Sequence, residues 1–141
     1  MNLYGVYGAS GFGREVMPLL RAQVADDPQA ICVFVDDAAT KGTINGHKSM
    51  TFEQFLLFPA ERRQVALAIG DGLIREKLAK KCETAGVGFV AVRGANSIVL
   101  DETSISDGLI LCSFSMVTSN ATIGRHFHGN IYSYVAHDCV I

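Results

Sequence analysis

The chain has 141 residues and a formal net charge of −2, from 12 Lys and Arg against 14 Asp and Glu. Apolar residues make up 49% of the chain and charged residues 18%, a composition that supports a folded core and excludes a disordered protein. Without a basic excess the chain has no electrostatic footprint for nucleic acid, so no nucleic-acid partner is expected.

No apolar stretch reaches the roughly 18 residues that a membrane helix needs, and the N-terminus lacks the basic start of a signal peptide. We therefore expect a cytoplasmic protein without membrane insertion. The four cysteines form no CxxC pair and are expected to be reduced core residues. The four histidines are too scattered to predict a metal site, although His126 and His128 lie close together.

The first half of the chain alternates short apolar runs with amphipathic segments, which is typical of a parallel α/β sheet with crossover helices. Strands are predicted at 3–7, 31–35, 64–69 and 88–92. Helices are predicted at 14–21, 51–58 and 73–82, and 44–46 is interpreted as a short excursion. Pro18 lies inside the first predicted helix and should cost it one backbone hydrogen bond.

A glycine-rich turn joins the first predicted strand to the first predicted helix. Its residues 8–13 stand where a phosphate-cradling turn is found, because glycine permits close backbone approach and a helix N-terminus offers free amides. The spacing is G-x-x-G-x-G, which differs from the dinucleotide pattern G-x-G-x-x-G. The candidate binding residues are Gly8, Ser10, Gly11 and Gly13, and a glycine turn that binds no ligand is the alternative.

Two acidic residues follow the second predicted strand at its carboxyl end. Asp36 and Asp37 are placed where carboxylates accept hydrogen bonds from ribose hydroxyls or a base. The alternative is that both are solvated loop residues.

From about residue 96 the helical pattern disappears and aliphatic residues recur every six positions. Seven of the eight positions counted in steps of six from Val99 to Ile141 are aliphatic, and Gly129 is the exception. Four residues after each guide position a small residue is common, and it is expected where the chain turns a corner. This period predicts a three-faced parallel β-helix with about 18 residues per coil. The interpretation divides the chain into a domain at 1–94 and a domain at 95–141.

An amide, a histidine and a carboxylate occur close together in the last coil, at Asn130, His137 and Asp138. Histidine is suited to proton abstraction near neutral pH, and a nearby carboxylate holds its tautomer. The alternative is that His137 and Asp138 only decorate a solvent-facing corner.

Four segments together resemble one family, the hexapeptide-repeat acyltransferases that include sialic-acid O-acetyltransferases and bacillosamine-type nucleotide-amino-sugar N-acetyltransferases. They are GVYGASGFGREV, VFVDD, AIGDGLIREKL and GNIYSYVAHDCVI. The resemblance implies a small Rossmann-like domain that binds a nucleotide sugar, followed by a left-handed β-helix that carries acetyl transfer from acetyl-CoA. It places the catalytic histidine at His137, its acid at Asp138 and a sugar-contacting asparagine at Asn130.

These observations lead to an expected acetyl-CoA-dependent N-acetyltransferase that acts on a UDP- or dTDP-linked amino sugar in the synthesis of a bacterial surface glycan or glycoprotein. Gly8, Gly11, Gly13, Asp36 and Asp37 would hold the nucleotide. Because a β-helix needs at least about three repeats and a cap, the chain is expected to be a fragment of a homotrimeric protein. Sugar O-acetylation, an NAD-binding oxidoreductase domain and a non-catalytic nucleotide-sugar sensor or scaffold remain as alternatives.

Overall fold

The computed structural model describes residues 1–38 and 42–141. A six-stranded sheet has the order β3-β4-β2-β1-β5-β6, and every pair in it is parallel except β3 with β4. Its strands are β1 (Asn2–Tyr7), β2 (Ala30–Val35), β3 (Thr43–Ile44), β4 (His47–Met50), β5 (Arg62–Leu67) and β6 (Gly88–Phe89). Its helices are α1 (Gly11–Gln23), α2 (Phe52–Leu57) and α3 (Gly72–Thr84). None of the described helices is long and apolar enough to cross a membrane.

The predicted α/β class and parallel sheet are confirmed, with two corrections in the strands. The excursion at 44–46 is a β-hairpin whose Asn45 and Gly46 both have positive φ, as a two-residue Asn-Gly turn requires. Its second strand, β4, pairs with β2 and adds an unpredicted strand to the sheet. The predicted strand 88–92 was wrong beyond Phe89, because Val92 pairs with a strand of the second half instead.

Helix α1 begins at Gly11, three residues earlier than predicted, and runs through Pro18 to Gln23. Pro18 is exposed, so its missing amide lies on the solvent side of the helix. The opposite side buries Val16, Met17 and Leu20 against the sheet. This burial outweighs one lost hydrogen bond and keeps the helix continuous.

The second half consists of eight two-residue strands stacked in three parallel groups. The strands are β7 (Val92–Arg93), β8 (Ile98–Val99), β9 (Ser104–Ile105), β10 (Ile110–Leu111), β11 (Met116–Val117), β12 (Thr122–Ile123), β13 (His128–Gly129) and β14 (Tyr134–Val135). Paired residues such as Val92, Ile110 and His128 are 18 positions apart along the chain. The predicted coil of three hexapeptides is therefore confirmed by the strand register.

The corners of these coils repeat with the same period. Residues with positive φ stand every six positions at Glu102, Gly108, Phe114, Asn120, His126, Tyr132 and Asp138. The prediction that the small residue four after each guide forms the corner was wrong by one position. Those residues follow the corner, and Leu109, Ser115 and Ala121 among them point into the buried interior.

Gly129 interrupts the aliphatic guide positions for a reason that the packing shows. A Cβ on Gly129 would lie 2.6 Å from Cδ1 of Leu111, the guide residue one coil earlier. Leu111 thus fills the interior space at both levels. The interior therefore stays packed with aliphatic atoms at the level of Gly129, although glycine itself contributes no side chain there.

The two halves share a core. Val92, Ile110 and Cys112 of the coils pack in the same buried cluster as Val6 and Val16 of the sheet and α1. Strand pairing changes from the sheet to the coils between Phe89 and Val92, a few residues before the predicted division. The division at 94/95 therefore remains a prediction based on the sequence pattern.

Candidate functional site

The glycine turn is built by close packing. Gly8 has φ +109° and donates its amide to Val35 O at 2.8 Å. A Cβ on Gly13 would lie 1.8 Å from Gly8 O, whereas one on Gly11 would meet nothing closer than 3.9 Å. Packing therefore requires glycine at 8 and 13, and only Gly11 is free of that constraint. Ser10 precedes α1, is exposed, and makes no side-chain capping bond to any described residue.

The structure separates the two predicted acidic residues. Asp36 lies beside the glycine turn, where its Oδ2 accepts from the amide of Ala9 at 3.2 Å. Asp37 instead accepts from Tyr7 Oη at 2.8 Å, the Phe52 amide at 2.8 Å and Lys81 Nζ at 3.0 Å. Asp36 therefore lies at the predicted binding turn, while Asp37 joins β2 to α2 and α3.

These contacts determine how Asp37 and Tyr7 ionise. Partial burial works to raise the pKa of the Asp37 carboxyl, but hydrogen bonds from Phe52, Lys81 and Tyr7 outweigh it and lower that pKa. Burial raises the pKa of Tyr7 strongly, and the Asp37 charge adds to the effect. Asp37 is thus ionised and occupied by protein donors, an arrangement suited to structural support.

A cleft of about 570 Å³ opens between the glycine turn and the coil corners, a volume within the range of small-molecule sites. Its functional groups come from both halves of the chain: Phe12, Arg75, Arg125, His126, His128 and Asn130. None of the described residues that line it is acidic. Of the predicted binding residues only Asn130 lines this cleft, together with Phe12 of the glycine turn and a cationic wall. The other predicted binding residues do not line it: Gly8, Ser10, Gly11, Gly13, Asp36 and Asp37.

Sequence reasoning did not assign His126 and His128 to this site. His128 places Nε2 2.8 Å from Leu67 O at the end of β5, and its ring lies 4.9 Å from that of Phe12. Burial lowers the pKa of His128 to about 4, and the nearby Arg75 charge contributes. The carbonyl can only accept, so the neutral ring carries its proton on Nε2.

His126 is only 6% exposed and packs edge-on against Phe89, with ring centroids 4.4 Å apart. Burial lowers its pKa, and the charge of Arg125 lowers it further. Neither ring nitrogen has a hydrogen-bond partner among the described residues. The sequence signal for these residues was that His126 and His128 lie close together along the chain. Their burial depends on residues distant in sequence, Phe89 for His126 and Phe12 and Leu67 for His128.

His137 and Asp138 form the predicted pair. Nδ1 of His137 lies 2.7 Å from Oδ2 of Asp138, and their side chains are 81% and 73% exposed. The carboxylate holds a proton on Nδ1 and leaves Nε2 free to accept one.

The pair does not line the cleft. Asn130 directly follows β13 and His137 follows β14, so the corner at Tyr132 lies between them and the two residues belong to adjacent faces of the coil. Within one chain the structure thus places Asn130 in the cleft with Phe12 but leaves the His137–Asp138 pair outside it.

Comparison with known proteins identifies relatives along the whole chain. The model of the PglD N-terminal domain matches residues 5–82. The chain is 38% identical to a GDP-perosamine N-acetyltransferase of Escherichia coli O157:H7, over 100% of this chain and 65% of that protein. It therefore spans about two thirds of the length of that curated relative.

Two solved structures show the same fold. WeeI from Acinetobacter baumannii AYE matches with a TM-score of 0.95 and 46% identity, over 99% of this chain and 66% of the other. The acetyltransferase domain of PglB from Neisseria gonorrhoeae FA1090 in complex with acetyl coenzyme A matches with a TM-score of 0.85 and 22% identity, over 99% of this chain and 67% of the other.

Proposed function

Because the chain belongs to the PglD N-terminal domain family, we propose that the complete natural protein transfers an acetyl group from acetyl-CoA to the amine of a nucleotide-linked amino sugar. The observation that carries the proposal is the exposed His137–Asp138 pair, a ready general base on a coil of stacked hexapeptides. The N-acetyltransferase named among its relatives supports transfer to nitrogen.

In the proposed reaction, the sugar amine attacks the thioester carbonyl carbon of acetyl-CoA. His137 Nε2 accepts a proton from that amine, and Asp138 stabilises the imidazolium through Nδ1. The carbon–sulfur bond then breaks, the CoA sulfur takes the proton from His137, and an N-acetylated sugar and free CoA are released.

The cleft is the proposed site of the nucleotide sugar, and Asn130 would position the sugar there. Gly8, Ser10, Gly11 and Gly13 remain proposed contacts of the nucleotide, because Phe12 of the same turn lines the cleft and Asp36 lies beside the turn. Asp37 is the weakest member of the predicted set, because its carboxylate accepts from three protein donors that include the Lys81 ammonium, whereas Asp36 accepts, among the described residues, only from the amides of Ala9 and Ala38. UDP and dTDP are the expected carriers, and the GDP-linked substrate in one relative's name adds GDP to the nucleotides to be tested.

A homotrimer would complete the site. The coils are proposed to wind as a left-handed β-helix, with the outer face of β8, β11 and β14 against a neighbouring copy. That face carries the exposed Ile98 and Tyr134, and the exposed rings of Phe114 and Tyr132 stack 5.4 Å apart at one of its corners. Such packing would bury this apolar surface and bring His137 of one copy toward the cleft of the next.

The test uses His137→Ala in the complete natural protein, with His47→Ala as a control for loss of a histidine elsewhere. Turnover should fall about 10²- to 10⁴-fold in the His137 variant while the affinity for nucleotide sugar stays within about threefold. Asp138→Asn should cost less. Wild-type turnover in His137→Ala would overturn the assignment of the base.

Light scattering tests the assembly separately. A monomeric mass accompanied by full activity would contradict the composite site. Comparison of an amino sugar with its hydroxyl analogue distinguishes N-transfer from O-transfer.

A further inference from the structure

We propose that Arg75 and His126 bind the diphosphate of the nucleotide-linked sugar, an inference that rests on the proposed function. Both residues line the cleft between the glycine turn and the coil corners. Arg75 comes from α3 of the sheet half and His126 from a corner of the coil half. A bound diphosphate would therefore join the two halves.

The first observation is the unsatisfied imidazole of His126. The residue is 94% buried, because its relative exposure is 6%, yet both ring nitrogens lack a partner among the described residues. A buried donor without an acceptor is costly, and native proteins satisfy nearly all such groups. Gly108 makes room for the ring, since a Cβ there would lie 2.1 Å from Nδ1. Both nitrogens are closed to solvent, so in the proposed complex the ring turns slightly toward the cleft and an oxygen of the ligand accepts its N–H.

The second observation is the charge of the wall. Arg75 uses Nη1 to bond Ile69 O at 2.7 Å and Gly70 O at 3.3 Å, which fixes the guanidinium at the end of β5. It forms no salt bridge with any described carboxylate, whereas Arg125 is paired with Glu83. Arg75 thus offers the cleft a guanidinium that has no ion-pair partner among the described residues, although Glu76 and Glu83 line an adjoining pocket. Such a guanidinium is suited to binding phosphoryl oxygens.

The third observation is the position of α1. Its first residues are Gly11 and Phe12, and Phe12 lines the same cleft as Arg75 and His126. Amides at a helix N-terminus attract anions. The start of α1 would therefore add to the attraction of an anion in the cleft.

Phosphoryl oxygens could come from the nucleotide sugar or from the phosphates of acetyl-CoA. The geometry favours the diphosphate of the nucleotide sugar, because Asn130, the residue proposed to position the sugar, lines the same cleft. The sugar would then extend from the diphosphate toward Asn130.

The experiment measures calorimetric Kd values on the whole chain for UDP, GDP, the nucleosides uridine and guanosine, and CoA. The variants are His126→Phe and Arg75→Gln. Phenylalanine keeps the ring but no N–H, and Phe114 shows that this residue is accepted at a positive-φ corner. His126→Asn keeps a side-chain donor at a corner conformation that Asn120 also adopts. Arg62→Gln is the control, since Arg62 lies at the opposite end of β5.

Wild type should bind one of the two diphosphates at least tenfold more tightly than its nucleoside. His126→Phe should weaken diphosphate binding about tenfold and Arg75→Gln about 10- to 100-fold, with nucleoside binding unchanged. His126→Asn should retain more affinity than His126→Phe, and Arg62→Gln should match wild type. Melting temperatures show which variants are folded.

Folded Phe and Gln variants that bind diphosphate as wild type does would overturn this inference and leave the proposed function standing. Loss of CoA binding alone in these variants would also overturn it, since the site would then belong to the other substrate. Failure of wild type to bind either diphosphate would count against the proposed function itself.

Discussion

Acidification should weaken the attachment of the coils to the sheet through His128. The ring donates Nε2–H to Leu67 O at 2.8 Å and packs against Phe12, so it is held in its neutral form. Burial lowers the pKa of His128 from 6.5 to about 4. A second proton on the ring would be placed near Arg75 in a poorly solvated position.

The sign follows from the direction of this shift. Between pH 6.5 and about 4 the unfolded chain binds a proton at His128 that the folded chain excludes, so stability falls as the pH falls through that window. The shift corresponds to about 3.4 kcal/mol for a fully shielded group. Only the part of this window above pH 5 is crossed between pH 7 and pH 5, which limits the loss to about 2 kcal/mol. Solvent screening of the partly buried ring places the expected loss at about 1–2 kcal/mol.

Urea denaturation at a series of pH values between 7 and 4.5 measures this loss. His128→Gln keeps an amide donor for Leu67 O but cannot titrate, so its stability should change by about 1–2 kcal/mol less over the range. His47→Gln is the matched control for loss of a histidine outside this contact. A His128→Gln profile parallel to that of wild type would show that His128 is not the titrating group.

Three further predictions concern the glycine turn, Asp37 and the chain as a whole. Gly13→Ala should cost at least about 3 kcal/mol, because its Cβ would lie 1.8 Å from Gly8 O, while Gly11→Ala should stay within about 1 kcal/mol of wild type; urea denaturation compares them. Asp37→Asn should cost about 1–2 kcal/mol at pH 7, and the difference should vanish as acid protonates the wild-type carboxyl below its ordinary pKa of 3.8. As a monomer, the 141-residue chain should bind a nucleotide sugar without transferring acetyl groups, since the His137 pair lies outside the cleft of its own chain. Calorimetry measures the binding, and a thiol-release assay with acetyl-CoA measures the transfer.

The sequence determined the features that depend on neighbours along the chain. The hexapeptide period predicted the coil because each guide residue recurs at the same place in an 18-residue turn, and the strand register confirms it. His137 and Asp138 are adjacent in the sequence, so their hydrogen bond requires no contact with a distant part of the chain. The hairpin at Asn45 and Gly46 was also encoded locally, although its two-residue signal was interpreted as an excursion.

Only the tertiary structure decided which side chains share the cleft. His128 bonds a carbonyl 61 residues away, and Asp37 bonds a lysine 44 residues away. Whether a histidine is buried and neutral, or a carboxylate is already occupied, depends on such contacts and on the desolvation that accompanies them. Residue type and spacing along the chain carry no record of this desolvation, because it arises when α3, the glycine turn and the coil corners pack together.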